Sequence, residues 1–254
     1  MKSTFEAENV VKGYIALDRL QKPEQTILEL LRTRLGYMHR LDIGVGGGRT
    51  TLHFAPLVQS YIGVDYAANM VKACEERFPD REDHISFQVA DARQMDQFPN
   101  GAFDFILFSY NGIDNISHDD RLRALQEIKR IGKRGGVFAF STHNLRSLHK
   151  VYKIQWYKNP KKLAYQVFSY FLLIFLNGFP GKHQKKPYAI VNDGTHRFGL
   201  NMYYIQPEFQ LKQLEHLGFS NIRLFSVSTG EEIDPAGLDR VVDDGWIYYL
   251  CDID

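Results

Sequence analysis

A regular alternation of short β-rich runs with helical runs, between residues 41 and 144, constrains the fold of this chain more than any other feature. The runs RLDIGV, SYIGVDY, ISFQVAD, FDFILFSYN and GGVFAFSTHN are typical of strands, and amphipathic stretches such as AANMVKACEERF and DDRLRALQEIKRI lie between them. Strands that alternate with helices are usually parallel and joined by right-handed crossovers. The sequence therefore predicts an α/β fold with an open, doubly wound sheet that helices cover on both faces.

The length of 254 residues and the apolar content of 44% fit one α/β domain that carries an insertion. We divide the chain into a helical N-terminal cap at 1–36, a core at 37–144, an insertion at 145–200 where the alternation fails, and a C-terminal helix with strands at 201–254. The N-terminus lacks the continuous apolar segment of a signal peptide, and Cys74 and Cys251 are the only cysteines. The expected location is the cytoplasm.

The first predicted strand runs into a glycine-rich turn, LDIGVGGGRTT, at residues 41–51. The dinucleotide fingerprint G-x-G-x-x-G fails, because Arg49 or Thr51 stands where the third glycine is required. The Walker pattern also fails, because no Gly-Lys-Ser/Thr follows. The observed spacing is Asp-x-Gly-x-Gly-x-Gly, from Asp42 to Gly48. A carboxylate repels a pyrophosphate and attracts an ammonium group, so this turn favours an amino-acid nucleoside as its ligand.

Five segments, in the same order, resemble the motifs of the class I S-adenosylmethionine-dependent methyltransferases over about residues 41–144. They are LDIGVGGGRTT, YIGVDYAANMV, FQVADARQM, FDFILFSYNGIDNI and ALQEIKRIGKRGGVFAFSTHN. The resemblance implies one Rossmann-like methyltransferase domain over 1–254, with a mostly parallel seven-stranded sheet and an antiparallel C-terminal strand. The loss of alternation after Asn144 adds a helical and aromatic insertion after the fifth strand, which we expect to serve as a substrate lid. The implied cofactor is S-adenosylmethionine, and its product is S-adenosylhomocysteine.

The resemblance further implies a role for individual residues at the carboxyl ends of the strands. Gly44 and Gly46 would lie against the methionyl part of the cofactor, with Asp42 near its ammonium group. Asp65 would accept hydrogen bonds from both ribose hydroxyls. The other implied cofactor contacts are Tyr66 and Met70 beside the adenine, Asp91 and Ala92 at its amino group and ring, Ser109 and Tyr110 near the sulfonium, and Tyr14 closing over the cofactor.

The candidate acceptor site follows the fourth and fifth predicted strands. Methyl transfer from a sulfonium mainly requires that the nucleophile be held ~3 Å from the methyl carbon, and a base is needed only for a hydroxyl or a protonated amine. His143 is the candidate catalytic base, since histidine titrates near neutral pH. No metal site is expected, because no HExxH motif or CxxC pair is present. The candidate substrate-binding residues are Asn111, Asp114, His118, Asn144, His196 and Arg197.

The insertion belongs to a strongly basic block. From Ile128 to Asn192 there are 13 Lys or Arg residues and no Asp or Glu, although the net charge of the chain is +1. Lysines flank the apolar run LAYQVFSYFLLIFLNGF at 163–179, which is too interrupted to predict a full membrane span. The block fits a lid over an apolar or anionic small substrate, a surface at 158–186 that contacts an anionic membrane, or a nucleic-acid-binding surface.

The sequence thus predicts a methyltransferase that acts on an oxygen or nitrogen of a small-molecule or lipid-linked acceptor. An RNA methyltransferase is the weaker alternative, because lysines beside a Phe/Leu/Ile run fit a lipid surface better than a nucleic-acid groove. A non-catalytic scaffold that keeps the fold is a further alternative, which the intact glycine turn and both acids, Asp65 and Asp91, disfavour. Association of the cytoplasmic protein with a membrane and its oligomeric state are left open.

Overall fold

Ten strands form one sheet in residues 2–254, the part of the chain that the computed structural model describes. The strands are β1 (His39–Ile43), β2 (Ser60–Asp65), β3 (Ile85–Val89), β4 (Phe103–Phe108), β5 (Gly132–Asn144), β6 (Tyr188–Val191), β7 (Met202–Ile205), β8 (Phe219–Ser226), β9 (Glu232–Ile233) and β10 (Trp246–Ile253). Their spatial order is β3-β2-β1-β4-β5-β10-β8-β9, and a β6–β7 hairpin joins the sheet through β5. Because the order reverses between β1 and β4, the crevice beyond their carboxyl ends is the expected ligand site.

Helices of very different lengths connect the strands. They are α1 (Lys2–Phe5), α2 (Glu8–Ile15), α3 (Lys22–Leu35), α4 (Thr51–Phe54), α5 (Ala68–Arg77), α6 (His118–Ile131), α7 (Pro160–Asn177), α8 (Gly181–Gln184), α9 (Thr195–Phe198) and α10 (Pro207–His216). Pro23 and Pro207 stand in the first turns of α3 and α10, where the missing N–H of proline costs no helical hydrogen bond.

The predicted seven-stranded sheet corresponds to β1–β5, β8 and β10. Strands β1 to β5 pair in parallel, and β10 is antiparallel to both β5 and β8. These pairings confirm the mostly parallel sheet with an antiparallel C-terminal strand. The prediction omitted β9, which has two residues, and the hairpin of β6 and β7. Such short strands carry too few residues for a recognisable alternation of apolar and polar positions.

Two apolar clusters fill the spaces between the sheet and its helices. On one face of the sheet, Leu125 of α6 and Leu214 of α10 are fully buried. On the other face, Ile27 of α3 and Val71 of α5 pack against the strands. The sheet is therefore covered on both sides, and its functional groups must emerge at the ends of the strands.

The insertion has its own apolar cluster. Leu173 of α7 is buried there with residues of the β6–β7 hairpin, and Tyr170 and Ile174 pack against it. The hairpin continues to Ile205, five residues beyond the end predicted for the insertion. Phe5 of α1 packs on the same cluster, so the insertion contacts the N-terminal segment. No helix between residues 2 and 254 is both long enough and apolar enough to cross a membrane.

A buried ion pair attaches the N-terminal cap to the core. Glu24 of α3 is fully buried and Arg49, after the glycine turn, is 7% exposed. Arg49 donates to both carboxylate oxygens of Glu24, at 2.7 Å for the Nη2 contact, and the Tyr248 hydroxyl donates to Glu24 at 2.9 Å. Burial alone would raise the pKa of Glu24, but the hydrogen bonds from Arg49 hold this pKa below its ordinary value. The carboxylate is therefore charged in the native protein.

We expect Glu24→Ala to lower the free energy of unfolding by about 3–5 kcal/mol, because it leaves the Arg49 charge buried without a partner. Urea denaturation monitored by circular dichroism measures the change. The matched control is Glu29→Ala on the same helix, where an exposed pair with Arg32 is removed. This control should cost no more than about 1 kcal/mol. Equal losses in the two variants would contradict the anchoring role of Glu24.

The lowered pKa of Glu24 also sets a pH dependence. A carboxyl group whose folded pKa lies below its unfolded value of 4.5 stabilises the protein fully above that value. Its contribution is lost as the pH falls from 4.5 through the folded pKa. Urea midpoints of the wild type should therefore fall in this acidic range by more than those of Glu24→Gln.

Candidate active site

The glycine turn between β1 and α4 brings backbone close to the crevice. Gly46 has φ +55°, a conformation that favours glycine, and a Cβ at this position would lie 3.3 Å from the Tyr14 ring. At Gly47 a Cβ would lie 2.5 Å from the backbone nitrogen of Ile15. The glycines therefore let the N-terminal segment close directly over the turn.

Asp65, at the end of β2, bonds to the glycine turn. Its carboxylate accepts from the Gly46 N–H at 3.0 Å and from the Ala67 N–H at 2.9 Å. Burial raises the pKa of Asp65, and these backbone donors oppose that rise. Each carboxylate oxygen accepts only one of these bonds, so lone pairs are left for hydroxyl donors in the crevice.

A cavity of about 340 Å³ occupies the crevice. Its wall comes from the glycine turn, the ends of β2, β3 and β4, and the N-terminal segment. The predicted cofactor residues that line it are Tyr14, Gly44, Gly46, Asp65, Tyr66, Met70, Asp91, Ala92, Ser109 and Tyr110. The predicted contacts are thus brought together at one cavity, with the exception of Asp42.

Tyr14 forms the wall opposite the strands. Its ring meets the rings of Phe5 at 6.3 Å and Tyr110 at 6.5 Å, both edge-on. Burial, with a smaller contribution from Tyr110 and Asp65, raises the pKa of the Tyr14 hydroxyl to about 12. The hydroxyl is therefore protonated at neutral pH, and three aromatic rings enclose this side of the cavity.

Asp91, at the exit of β3, is held by an arginine. Nε and Nη2 of Arg93 donate to its two carboxylate oxygens, with the shortest contact at 2.6 Å. The Arg93 hydrogen bond is the main reason why the pKa of Asp91 lies below its ordinary value. Arg93 also donates to Asp120 of α6 at 3.1 Å. The orientation of Asp91 toward the cavity therefore depends on α6 as well as on β3.

The segment after β4 has a strained backbone. Tyr110 and Asn111 have φ values of 55° and 58°, in the left-handed region that residues other than glycine rarely adopt. The Asn111 N–H donates to the Ser141 hydroxyl at 2.8 Å, which holds this turn. The turn exposes 43% of Tyr110 at the cavity and directs the Asn111 side chain behind the wall.

His143, near the end of β5, forms a pair with a fully buried acid. Its Nδ1 donates to Asp114 at 2.8 Å, so Nε2 is the basic atom, and the Asn111 amide donates to Nε2 at 3.3 Å. Asp114 also accepts from the His143 backbone N–H, from Thr142 and from Arg121. His143 does not line the cavity; it lies one layer behind Tyr110 and Asn111.

The structure corrects the predicted role of Asp42. Its side chain is 2% exposed and accepts from Thr50 at 2.6 Å, from the Tyr61 hydroxyl at 2.7 Å and from Arg40 at 3.0 Å. Arg40 in turn lies 3.8 Å above the Phe54 ring. Asp42 therefore neutralises a buried arginine behind the glycine turn and does not reach the cavity.

Several predicted substrate residues also lie elsewhere. Asp114 is buried and paired with His143, as described above. Asn144 donates to the Val241 and Asp244 carbonyls, so it holds the loop before β10 in place. His118 bonds to the Tyr203 hydroxyl and stacks on Tyr188 at 4.1 Å, away from the cavity.

The predicted pair at 196–197 comes closer to the cavity. His196 and Arg197 have φ values of 50° and 58°, and the His196 ring lies 5.5 Å from Phe5, which lines the cavity. This pair is therefore at the rim and not inside the cavity. No group of three His, Cys, Asp or Glu side chains that could hold a metal ion occurs within residues 2–254.

Sequence reasoning missed several residues of the site. Phe5, Arg93, Phe108 and Asp120 line the cavity, and Arg49 donates to Ser109 at 3.1 Å beneath it. A weak signal existed for Arg93, which follows Asp91 by two residues in ADAR. For Phe5 no such signal existed, because its position depends on how the N-terminal segment folds back.

Comparison with known proteins agrees with this geometry. Residues 41–140 match the family model described as a methyltransferase domain. An uncharacterized methyltransferase, YcgJ, from Bacillus subtilis is 35% identical over 109 residues, 41% of each chain. The ubiquinone/menaquinone biosynthesis C-methyltransferase UbiE from Cellvibrio japonicus is 28% identical over 75% of this chain and 70% of that protein. This chain thus aligns with less than half of the Bacillus protein.

Solved structures share the fold. An S-adenosylmethionine-dependent methyltransferase from Clostridium acetobutylicum superposes with a TM-score of 0.63 at 17% identity, over 94% of this chain and 93% of that one. Together these comparisons show a methyltransferase domain at residues 41–140, within a chain that has the fold of the class I S-adenosylmethionine-dependent methyltransferases. The cofactor of this class is S-adenosylmethionine.

The residues at the cavity fit that cofactor. The half-buried carboxylate of Asp65 keeps acceptor capacity for a ribose hydroxyl, and the apolar side chain of Met70, which also lines the cavity, suits an adenine ring. The glycine turn leaves room for the methionyl part. Because Thr50, Tyr61 and Arg40 already engage the Asp42 carboxylate, this side chain would not meet the ammonium group directly.

We expect Asp65→Asn to weaken binding of S-adenosylhomocysteine by about a hundredfold or more, because two hydrogen bonds to a charged acceptor are worth about 1.5–3 kcal/mol each. Isothermal titration calorimetry measures the affinity. The contrasting variant is Asp42→Asn, which should lower the free energy of unfolding by about 3–5 kcal/mol, since Arg40 loses its charge partner. Its ligand affinity should change by less than about threefold. The opposite pattern in the two variants would refute these assignments.

Proposed function

We propose that this chain transfers the methyl group of S-adenosylmethionine to an oxygen or nitrogen of a small-molecule or lipid-linked acceptor that enters beside Tyr110. The observation that carries the proposal is the Asp114–His143 pair, which contacts Asn111, the residue that follows Tyr110 in the chain. The pair fixes Nε2 of His143 as a base, and Asn111 covers that atom with a single long hydrogen bond of 3.3 Å. Rotation of the Asn111 side chain would open Nε2 to an acceptor.

Each residue of the site would have its own role in methyl transfer. Bound S-adenosylmethionine supplies an electrophilic methyl group on a positively charged sulfur. Asp65 and Asp91 hold the nucleoside, and Tyr14 and Tyr110 exclude water from the methyl group. Nε2 of His143 would accept the proton that the acceptor oxygen or nitrogen loses on methylation. Asp114 then stabilises the resulting imidazolium, as a buried acid does in other His–Asp pairs.

Methylation at carbon is the second candidate. The Cellvibrio relative, which aligns with 75% of this chain, is described as a C-methyltransferase, and a histidine base could equally remove a proton from carbon. RNA as the acceptor has less support, because Asp65, Asp91 and Asp120 at the cavity are acidic and the one arginine among its lining residues, Arg93, is already paired with two of them. These carboxylates would repel a phosphate backbone.

The acceptor class can be tested with a methyl label. The purified chain is incubated with methyl-tritiated S-adenosylmethionine and, separately, with water-soluble, lipid and RNA extracts of bacterial cells. The proposal predicts label in the first or second extract, in a product from which hydriodic acid releases methyl iodide. Boiling in this acid releases O-methyl groups, and strong heating of the dried iodide salt then releases N-methyl groups, so label that survives both steps would indicate methylation at carbon. Label confined to RNA would overturn the proposal.

We expect His143→Gln to lower the initial rate of methyl transfer by about 10²- to 10⁴-fold, the usual contribution of a general base. The affinity for S-adenosylhomocysteine should change little, because His143 does not line the cavity. His118→Gln is the matched control, since His118 bonds to Tyr203 away from the site. A His143→Gln variant with the wild-type rate would show that the acceptor needs no base.

A further inference from the structure

The helix α7 of the insertion has two apolar sides. One side packs against the rest of the protein, and the other is exposed. Its inner side packs into the insertion cluster through Tyr170, Leu173 and Ile174. Its other side presents Phe168, Phe171 and Phe175, whose exposed fractions are 62%, 63% and 84%. These residues recur at intervals of three and four, so they form one stripe along the helix. We call this stripe, with Phe179 just beyond the helix, the outer face.

Large exposed apolar surfaces of this kind are rare in proteins that act alone in water. Trp156, shortly before α7, is 84% exposed, and Phe179 is 67% exposed, so the apolar surface extends beyond both ends of the helix. Contiguous exposed apolar patches usually mark a surface that contacts a partner or a membrane. Tryptophan in particular is enriched where protein meets the headgroup region of a bilayer.

The charges around the outer face are all positive, so they favour an anionic partner. Seven lysines lie in the chain segments beside it, all of them exposed, and none makes an ion pair with residues that the structure describes. They are Lys153, Lys158, Lys161, Lys162, Lys182, Lys185 and Lys186. No Asp or Glu occurs from Ile128 to Asn192. An anionic surface outside the chain would complement the charge of these lysines.

Two of these lysines occupy positions that are unfavourable for the helix itself. Lys161 and Lys162 follow Pro160 in the first turn of α7, and this turn contains no acid. Positive charges near a helix N-terminus oppose the helix dipole. Anionic headgroups beside this turn would offset both the dipole and the lysine charges.

We propose that the outer face of α7 docks on an anionic lipid membrane, with its phenylalanines in the acyl–headgroup boundary and its lysines on the phosphate groups. A second copy of this chain is a poorer occupant, because a two-fold contact through the outer face would set its lysines against the same lysines of the other copy. Apolar burial and electrostatic attraction act together on a lipid surface.

This docking would bring the cavity close to the bilayer. Phe5 lines the cavity and also packs on the insertion cluster that contains Tyr170 and Ile174. The cavity wall and the docking helix therefore share one apolar cluster. The proposal does not depend on the identity of the methyl acceptor, since lipid binding can be measured without any methyl transfer.

Vesicle sedimentation with the full chain tests the proposal. We expect binding to vesicles of phosphatidylcholine mixed with phosphatidylglycerol, weaker binding to phosphatidylcholine alone, and a further loss as salt is added. Phe171→Ser combined with Phe175→Ser should weaken the binding by about a hundredfold. Lys161→Gln combined with Lys162→Gln should weaken it roughly twentyfold, at about 1 kcal/mol per lysine.

The controls use exposed residues outside the insertion. Tyr37→Ser removes an aromatic ring that is 82% exposed, and Lys72→Gln removes an exposed lysine of α5. Both should bind vesicles like the wild type. All variants should keep the wild-type urea midpoint and affinity for S-adenosylhomocysteine, because the changed side chains are exposed.

A second measurement needs no phenylalanine variant. Phosphatidylcholine brominated on its acyl chains, mixed with phosphatidylglycerol, should quench tryptophan emission in the wild type, and Trp156→Tyr should remove most of this quenching. Equal sedimentation of the wild type and the double Phe variant, or quenching that Trp156→Tyr leaves intact, would overturn the proposal. So would sedimentation equilibrium that shows a dimer which the Phe variant dissociates, since the outer face would then be an interface between copies.

Discussion

The buried pair of Glu24 and Arg49 connects the N-terminal cap to the glycine turn, to the end of β4 and to β10. Arg49 follows the glycine turn, donates to Ser109 at the end of β4 and lies 5.1 Å from the Tyr110 ring. Glu24 belongs to the N-terminal cap and accepts from Tyr248 of β10. Withdrawing both charges from water carries a desolvation cost, and close hydrogen-bonded geometry offsets it. The pair therefore fixes how the cap, the turn and two strands meet.

Features that depend on local spacing could be predicted from the sequence. The alternation of strands and helices gave the order of the parallel sheet, and the spacing of Asp65 and Asp91 after their strands placed both at the cavity. Strand ends are reliable in this way because parallel strands all present their carboxyl ends at one edge. The predicted motif residues consequently fell around a single cavity, whatever their separation along the chain.

The directions of side chains and their distant partners could not be predicted as well. Asp42 and Arg40 are two residues apart on β1, so their side chains point to the same face of the sheet. The buried Arg40 therefore donates a hydrogen bond to the Asp42 carboxylate. Asp114 was expected at the acceptor, but four donors from β5 and α6 hold it in the interior. Such partners are 7 to 29 residues away in the sequence, beyond any local pattern.

The way Tyr14 covers the glycine turn has a consequence for turnover. The helix that carries it, α2, has no buried residue, whereas the opposite wall of the cavity consists of strand ends of the hydrogen-bonded sheet. Opening the cavity to exchange spent cofactor for fresh methyl donor therefore costs least at residues 8–15. This helix rests directly on Gly47, where even one added methyl group would collide with the Ile15 backbone and displace the helix from the turn.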